Sequence, residues 1–301
     1  MPYICTVRTK TSIYALIQLM DDQDPMVIEH AKNVLLEYGE EIIPELEQIE
    51  DISIDEPARM GNVSEVLRHL RLKKVKKALS AWITSRDKNL IEALYIISSY
   101  QFPELGQQDF MKQLQTIRHR CWIAISSKQT SFEKVEAFNR VFYEEFDFIR
   151  LKKAYYSPFE IFVNTVMETK EGTDLSLGLI YSIIAQSLDL PIYGVASTNK
   201  RVPFMLAYLD KTNLLPILNW GVDNNGVLFY IDVSLKGLII DPKHLKELYQ
   251  QKGLPVNKSQ FEPSPNTTIV KKLLNDIKLS YSNHSYYRYK LLDIEELLKL
   301  F

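Results

Sequence analysis

The chain has 301 residues, 46% of them hydrophobic and 25% charged, with a formal net charge of −2. That length accommodates two domains, and the near balance of charge removes any whole-molecule case for nucleic acid or an anionic membrane surface. Two cysteines far apart, Cys5 and Cys121, and five scattered histidines, His30, His69, His119, His244 and His284, rule out a disulfide framework and give no metal-ligand spacing. No metal or cofactor is expected.

The chain opens Met1-Pro2-Tyr3-Ile4-Cys5-Thr6, which has no basic stretch followed by an apolar one. Its longest uncharged run is shorter than the ~18–20 apolar residues that cross a bilayer. The expectation is a cytoplasmic protein with no membrane span.

The first third predicts helices. Ile13, Leu16, Ile17, Leu19 and Met20 recur at helical spacing, and Asp21, Asp22, Asp24 and Pro25 interrupt them. Pro25 suits the first position of a second helix, along which Val27, Ile28, Ala31, Val34 and Leu35 continue the stripe to Gly39. This pair resembles one HEAT-like repeat, without the three clean repeats of a solenoid. Residues 64–84, 88–100 and 107–127 predict further helices. The basic run Arg71, Lys73, Lys74, Lys76 and Lys77 admits two readings, an anionic partner or a solvated helix face with Leu72, Val75 and Leu79 turned inward. The balancing acidic residues favour the second.

A helix over 131–147 would bury Val135, Phe138, Val141, Phe142 and Phe146. "DFIRLKKAYYSPFE" reads as irregular, and 159–169 as helical again. Leu175 to Leu188 then carries no charge, which predicts a buried helix behind a Gly-Thr-Asp start. Beyond it the period changes. "PIYGVAS", "VPFMLAYLD", "LLPILNW", "VLFYIDVS" and "GLIID" are short runs rich in Val, Ile, Tyr and Phe, bounded by turn residues. Asn225-Gly226 is a hairpin signal. An antiparallel sheet after a hydrophobic helix predicts an α+β fold. Asp241-Pro242 opens a helix through Tyr249, "GLPVNKSQFEPSPN" is a loop, and helices follow near 267–279 and 292–300. The organisation expected is a helical N-terminal domain at 1–130, an α+β core at 131–252 and a C-terminal loop with helices at 253–301.

The chemistry, if any, lies in the first turn of the uncharged helix. Thr173 or Asp174 offers an N-cap, and Ser176 falls within that turn, where unpaired backbone N–H groups and the helix dipole favour negative charge. A cysteine there becomes a nucleophile. A serine hydroxyl is too weak an acid for the dipole alone and needs an adjacent base.

A helix followed by such a sheet resembles the transglutaminase-like and papain-like plan. Residues 135–241 more closely resemble the bacterial SirB family of transglutaminase-like proteins, of Bacteroidetes type. The resemblance is carried by "FNRVFYEEFDF", "YYSPFEIFVNTVMETKEG", "LSLGLIYSIIAQSLDLPIYGV", "FMLAYLD" and "YIDVSLKGLIID". It implies a core built from a central helix and an antiparallel sheet. It also implies three degenerate catalytic positions. The family's Gly-x-Pro-Ile-Ser segment reads Gly172-Thr173-Asp174-Leu175-Ser176 here, with Ser176 at or near the place where active enzymes carry cysteine. Asp174 replaces a proline and sets a negative charge beside that position. The family's His-Phe pair reads Pro203-Phe204, and proline has no titratable group. Asp232 stands where the acidic orienting residue would be. No intact triad follows.

Other residues admit a functional and a plainer reading. His244 is a substitute base or an exposed helix residue; Lys200 and Arg201 are an anion site or loop charges; Asp232 is a site remnant or a strand-end cap. Tyr281, Tyr286, Tyr287 and Tyr289 with Arg288 and Lys290 could stack on single-stranded nucleic acid, or pack their rings on the body. The function expected is a non-catalytic binding or scaffolding module with a protein or peptide partner and no nucleic acid. The alternative is a hydrolase or acyl-transferase using Ser176 with a base from elsewhere.

Overall fold

The computed structural model describes residues 10–52, 57–153, 155–197, 202–209, 226–254, 256, 261–282 and 287–301. The chain divides into two compact units, Met1–Ala81 and Trp82–Phe301. The expected boundary at 130/131 falls inside the second. The helices between Trp82 and residue 130 pack there, although their amphipathic pattern reads like that of the preceding ones.

The first unit is helical: α1 (Lys10–Gln18), α2 (Pro25–Tyr38), α3 (Ile43–Ile52) and the long α4 (Pro57–Thr84), whose last turn crosses the division. The Asp-Pro break works as the sequence implies. Asp24 caps α2 by accepting from the Met26 N–H at 2.8 Å, with Pro25 in the first turn where no N–H partner is needed. Ile17, Met20, Leu35, Leu46, Leu67 and Leu70 meet in one core. The basic run of α4 buries Val75 and Leu79 and exposes Lys73, Lys74 and Lys77, while Arg71 pairs with Glu47 at 2.8 Å. It is a solvated helix face.

The second unit is α+β. Its helices are α5 (Leu90–Gln101), α6 (Gln107–Ala124), α7 (Ser131–Asn139), α8 (Val163–Thr169), α9 (Asp174–Gln186), α10 (Pro242–Gln251), α11 (Asn266–Ser282) and α12 (Arg288–Leu298). The strands β3 (Ile192–Val195), β4 (Met205–Leu209), β5 (Val227–Asp232) and β6 (Leu238–Ile240) form an antiparallel sheet in that order. "LLPILNW" and Asn225 lie outside the described residues; Gly226, at φ +69°, is the first described residue before β5. Strand alternation sends Val195, Met205, Ala207 and Tyr230 to one face, where Leu245 and Tyr249 of α10 and Phe261 cover them. Phe204 and Gly194 turn to the opposite face, against Gly178 of α9 and Ile269 of α11. Buried from Leu175 to Ala185, α9 has no need of a polar side there, which is why that stretch lacks charge.

Two features depart from the expected elements. The "irregular" stretch contains β1 (Ile149–Arg150), which pairs in parallel with β2 (Glu171–Gly172) just ahead of α9. The helix expected over 131–147 continues beyond α7 as a π-helix, Arg140–Glu145. Widened turns of this kind are frequent at functional sites.

Of the C-terminal tyrosines, Tyr281 packs on the body, Tyr287 is half-buried with its ring 5.5 Å from that of Tyr281, and Tyr289 is exposed. Tyr281 is buried and donates to Gln101 Oε1 at 2.6 Å, and the Lys290 ammonium reaches the same oxygen. Tyr286 and His284 lie outside the described residues. Beside this, Tyr100 donates to the buried Asp293 carboxylate at 2.9 Å. Burial, with the Asp293 charge, pushes the Tyr100 phenol far above its usual range, so it remains a donor. Removing a donor from a buried carboxylate costs about 1.5–3 kcal/mol. Tyr100→Phe is expected to lower the unfolding free energy by that amount, read as a fall in the urea midpoint with an unchanged slope.

Candidate functional site

The sequence points to three positions, Ser176, Pro203 and Asp232, and chain geometry carries them to one end of the sheet. β4 begins beside the end of β5, since Leu206 pairs with Ile231, and the first turn of α9 meets the start of β4. How their side chains point is a separate matter.

Ser176 is fully buried in the first turn of α9. Thr173 is the N-cap, and the two residues form a reciprocal capping box: Thr173 Oγ1 accepts from the Ser176 N–H at 3.1 Å, and Ser176 Oγ accepts from the Thr173 N–H at 2.9 Å. The remaining neighbours of the Ser176 hydroxyl are Thr173 Oγ1 at 3.1 Å, the Thr173 carbonyl at 3.3 Å and the Glu160 carbonyl at 3.5 Å. Among the described residues no histidine, lysine or carboxylate hydrogen-bonds to it. Gly172 packs so close that a Cβ there would stand 2.6 Å from Ser176 Oγ and 2.7 Å from Val166. The hydroxyl is therefore enclosed by α8, the Pro158–Glu160 turn and its own cap.

Asp174 behaves otherwise. It is half-buried, and its Oδ2 accepts from the Phe204 backbone N–H at 2.9 Å. Next to it Pro203 is partly exposed, and Phe204 is buried with its ring against Gly178; a Cβ at 178 would lie 2.6 Å from that ring. The sequence offers Asp174 as an alternative N-cap and as a repelling charge beside Ser176; Thr173 takes the cap, and the bond to Phe204 has no local signal. What separates Asp174 from Ser176 is helical phase, because residues 174 and 178 share a face and 176 does not.

Asp232 ends β5 and caps the short Val233–Leu235 turn: its Oδ1 accepts from the Ser234 N–H at 2.8 Å and the Ser234 hydroxyl at 2.6 Å. Of the two readings the sequence leaves open for Asp232, these bonds make the strand-end cap. Two phenols flank its charge. Burial, and then Asp232, raise Tyr249 to about 12 and Tyr143 higher still, so both keep their protons. Tyr143 stands in the π-turn and donates to the Val233 carbonyl at 3.3 Å. Asn139, one residue before that turn, accepts from the Tyr181 hydroxyl at 2.9 Å and donates to the Gly237 carbonyl at 2.9 Å. These bonds tie α7, α9 and the β5–β6 turn together, and no local sequence motif announces them.

His244 is an exposed residue of α10, 4.0 Å from Glu247, while Lys200 and Arg201 lie outside the described residues. Elsewhere a groove of about 490 Å³ runs along α11, lined by Lys271, Lys272, Asn275 and Lys278 with Ala196 and Ser197. None of Ser176, Pro203 and Asp232 lines it. Among the described residues no set of three His, Cys, Asp or Glu side chains could hold a metal ion, and no helix is long and apolar enough to cross a membrane.

Known proteins resemble parts of the chain. It is 24% identical over 190 residues to the UPF0162 protein of Buchnera aphidicola, covering 63% of this chain and 65% of that protein. A UPF0162 protein of Vibrio cholerae is 23% identical over 107 residues, 36% of this chain and 40% of the relative. One from Pasteurella multocida is 36% identical over 62 residues, 21% of this chain and 24% of the relative. The chain thus spans less than two thirds of each relative's length. No solved structure matches it significantly. The sequence pattern of the Transglutaminase-like superfamily matches residues 108–275, from α6 through the central helix and sheet into α11. With that pattern spanning more than half of its residues, the chain belongs to the transglutaminase-like superfamily.

Proposed function

We propose that this chain is a non-catalytic member of its superfamily, a cytoplasmic binding or scaffolding module that takes a protein or peptide partner. One observation carries the reading: the Ser176 hydroxyl is committed to the N-terminal cap of α9, fully buried, with backbone groups and Thr173 as its neighbours. A nucleophile must be reachable and must have a base within about 3 Å. Pro203 has no titratable group to supply one, and among the described residues no imidazole bonds to Asp232. The finer likeness to the SirB family, in its Bacteroidetes type, belongs to the same proposal and rests on the segments of 138–241 quoted above.

The test is Ser176→Ala, which removes the hydroxyl and leaves the rest of the fold. A cell carrying this variant is expected to show the unaltered phenotype of the intact chain, with full loss confined to deletion. Loss of function in a Ser176→Ala chain that melts cooperatively would overturn the reading in favour of a hydrolase or acyl-transferase.

A further inference from the structure

We infer that Asp174, rather than Ser176, is the residue by which α9 faces the start of β4, and that its carboxylate is the tie that holds the strand on the helix. This rests on the reading of a capped, non-catalytic helix and concerns the same junction.

Helical phase is the first ground. Successive residues advance about 100°, so Gly178 lies about 40° from Asp174 and Tyr181 about 20° to its other side, whereas Ser176 is about 160° from both Asp174 and Gly178. The contacts follow that division. Gly178 meets the Phe204 ring and Tyr181 reaches Asn139, while Ser176 points to the Glu160 carbonyl and Gly172. Asp174 is half-buried and Ser176 is not exposed at all. Of these two side chains of the first turn, the one that both faces β4 and meets solvent is at 174.

The second ground is the bond itself. Phe204 precedes the first residue of β4, Met205, which pairs with Val195. Its N–H is the donor next to Pro203, and the Asp174 carboxylate accepts it at 2.9 Å. A buried backbone donor needs a partner, and here a side chain from the helix supplies it. Asp174 is thus a positioning residue. It fixes where position 203 stands relative to the helix.

Two measurements test this in the 301-residue chain. In a Cys5→Ser background, Cys121 is buried and its thiol is pushed up to about 12, so it reacts slowly. Alkylation by iodoacetamide is then compared in Asp174→Cys and Ser176→Cys. The thiol at 174 is expected to react at least tenfold faster than that at 176, and a thiol at 176 that reacts as fast or faster overturns the assignment. Amide exchange at Phe204 reads the tie without any cysteine. Asp174→Ala should speed it at least tenfold and Asp174→Asn, which keeps an acceptor oxygen, much less. Equal exchange in Asp174→Ala and the parent, or equal acceleration by Ser176→Ala, overturns it. These outcomes are independent of the Ser176→Ala phenotype, so failure of the non-catalytic reading and failure of the tie are told apart.

Discussion

Phe204→Ala is expected to cost about 3–5 kcal/mol, the range for deleting a fully buried aromatic ring. The ring is 1% exposed, and its neighbours explain why the upper part of that range applies. Gly178 of α9 and Gly194 of β3 approach it so closely that a Cβ on either would stand 2.6 or 2.7 Å from a ring carbon. Two glycines have no side chains with which to fill the space the ring leaves, so the cavity persists unless helix and sheet move together. The check is a urea titration in which the midpoint falls and the slope is unchanged. A second variant sharpens it. Gly178→Ala alone should destabilise by overpacking against the ring, offset in part by the ~1 kcal/mol that alanine gains over glycine within a helix. In the Phe204→Ala background the added methyl meets empty space, and Gly178→Ala should become stabilising. Strict additivity of the two changes would show that ring and glycine do not share a packing site.

How far this core is legible from the sequence depends on which physical term sets each element. The uncharged run from Leu175 to Leu188 announces a buried helix because burial on all sides excludes charge, and α9 is that helix. The short β-rich runs announce strands for a similar reason, and four of them pair in chain order. The β1–β2 pair is different. Two residues on each side are joined by backbone bonds such as Ile149 N–H to the Lys170 carbonyl at 2.8 Å, which leave no period in the side chains. The π-turn of Arg140–Glu145 likewise changes the backbone register within a pattern that still reads as helical. Residues 82–130 carry ordinary amphipathic stripes, and a stripe says that one face is buried without saying by what. At the candidate site, the cap at Ser176 and the strand-end role of Asp232 follow from local residue chemistry. The bond from Phe204 to Asp174 joins residues thirty apart, and only folding brings that donor to that acceptor.

Gly237→Ala is expected to be comparably severe, about 3–5 kcal/mol, although it adds a single methyl group. Gly237 has φ +75°, where an alanine pays roughly 1–2 kcal/mol for the left-handed backbone. The larger part comes from Asn139, whose side-chain oxygen would lie 2.1 Å from the new Cβ and whose amide nitrogen would lie 2.6 Å from it. That amide cannot stay. Displacing it breaks its bonds to Tyr181 and to the Gly237 carbonyl, and each buried polar group left unpaired costs about 1–3 kcal/mol. The Tyr181 hydroxyl is the more exacting of the two, because its side chain is fully buried and burial holds the phenol in its neutral donor form. Two controls separate strain from clash. Asparagine tolerates the left-handed region, so Gly237→Asn would be mild if the backbone were the main cost; with the clash dominant, it should destabilise at least as much as alanine. In an Asn139→Ala background the obstruction is gone, and Gly237→Ala should then cost only the backbone share. Thermal and urea unfolding of the four chains give the coupling directly. A coupling near zero would mean that Asn139 and the β5–β6 turn are stabilised independently, and that the link from the central helix to the strand end carrying Asp232 runs through other contacts.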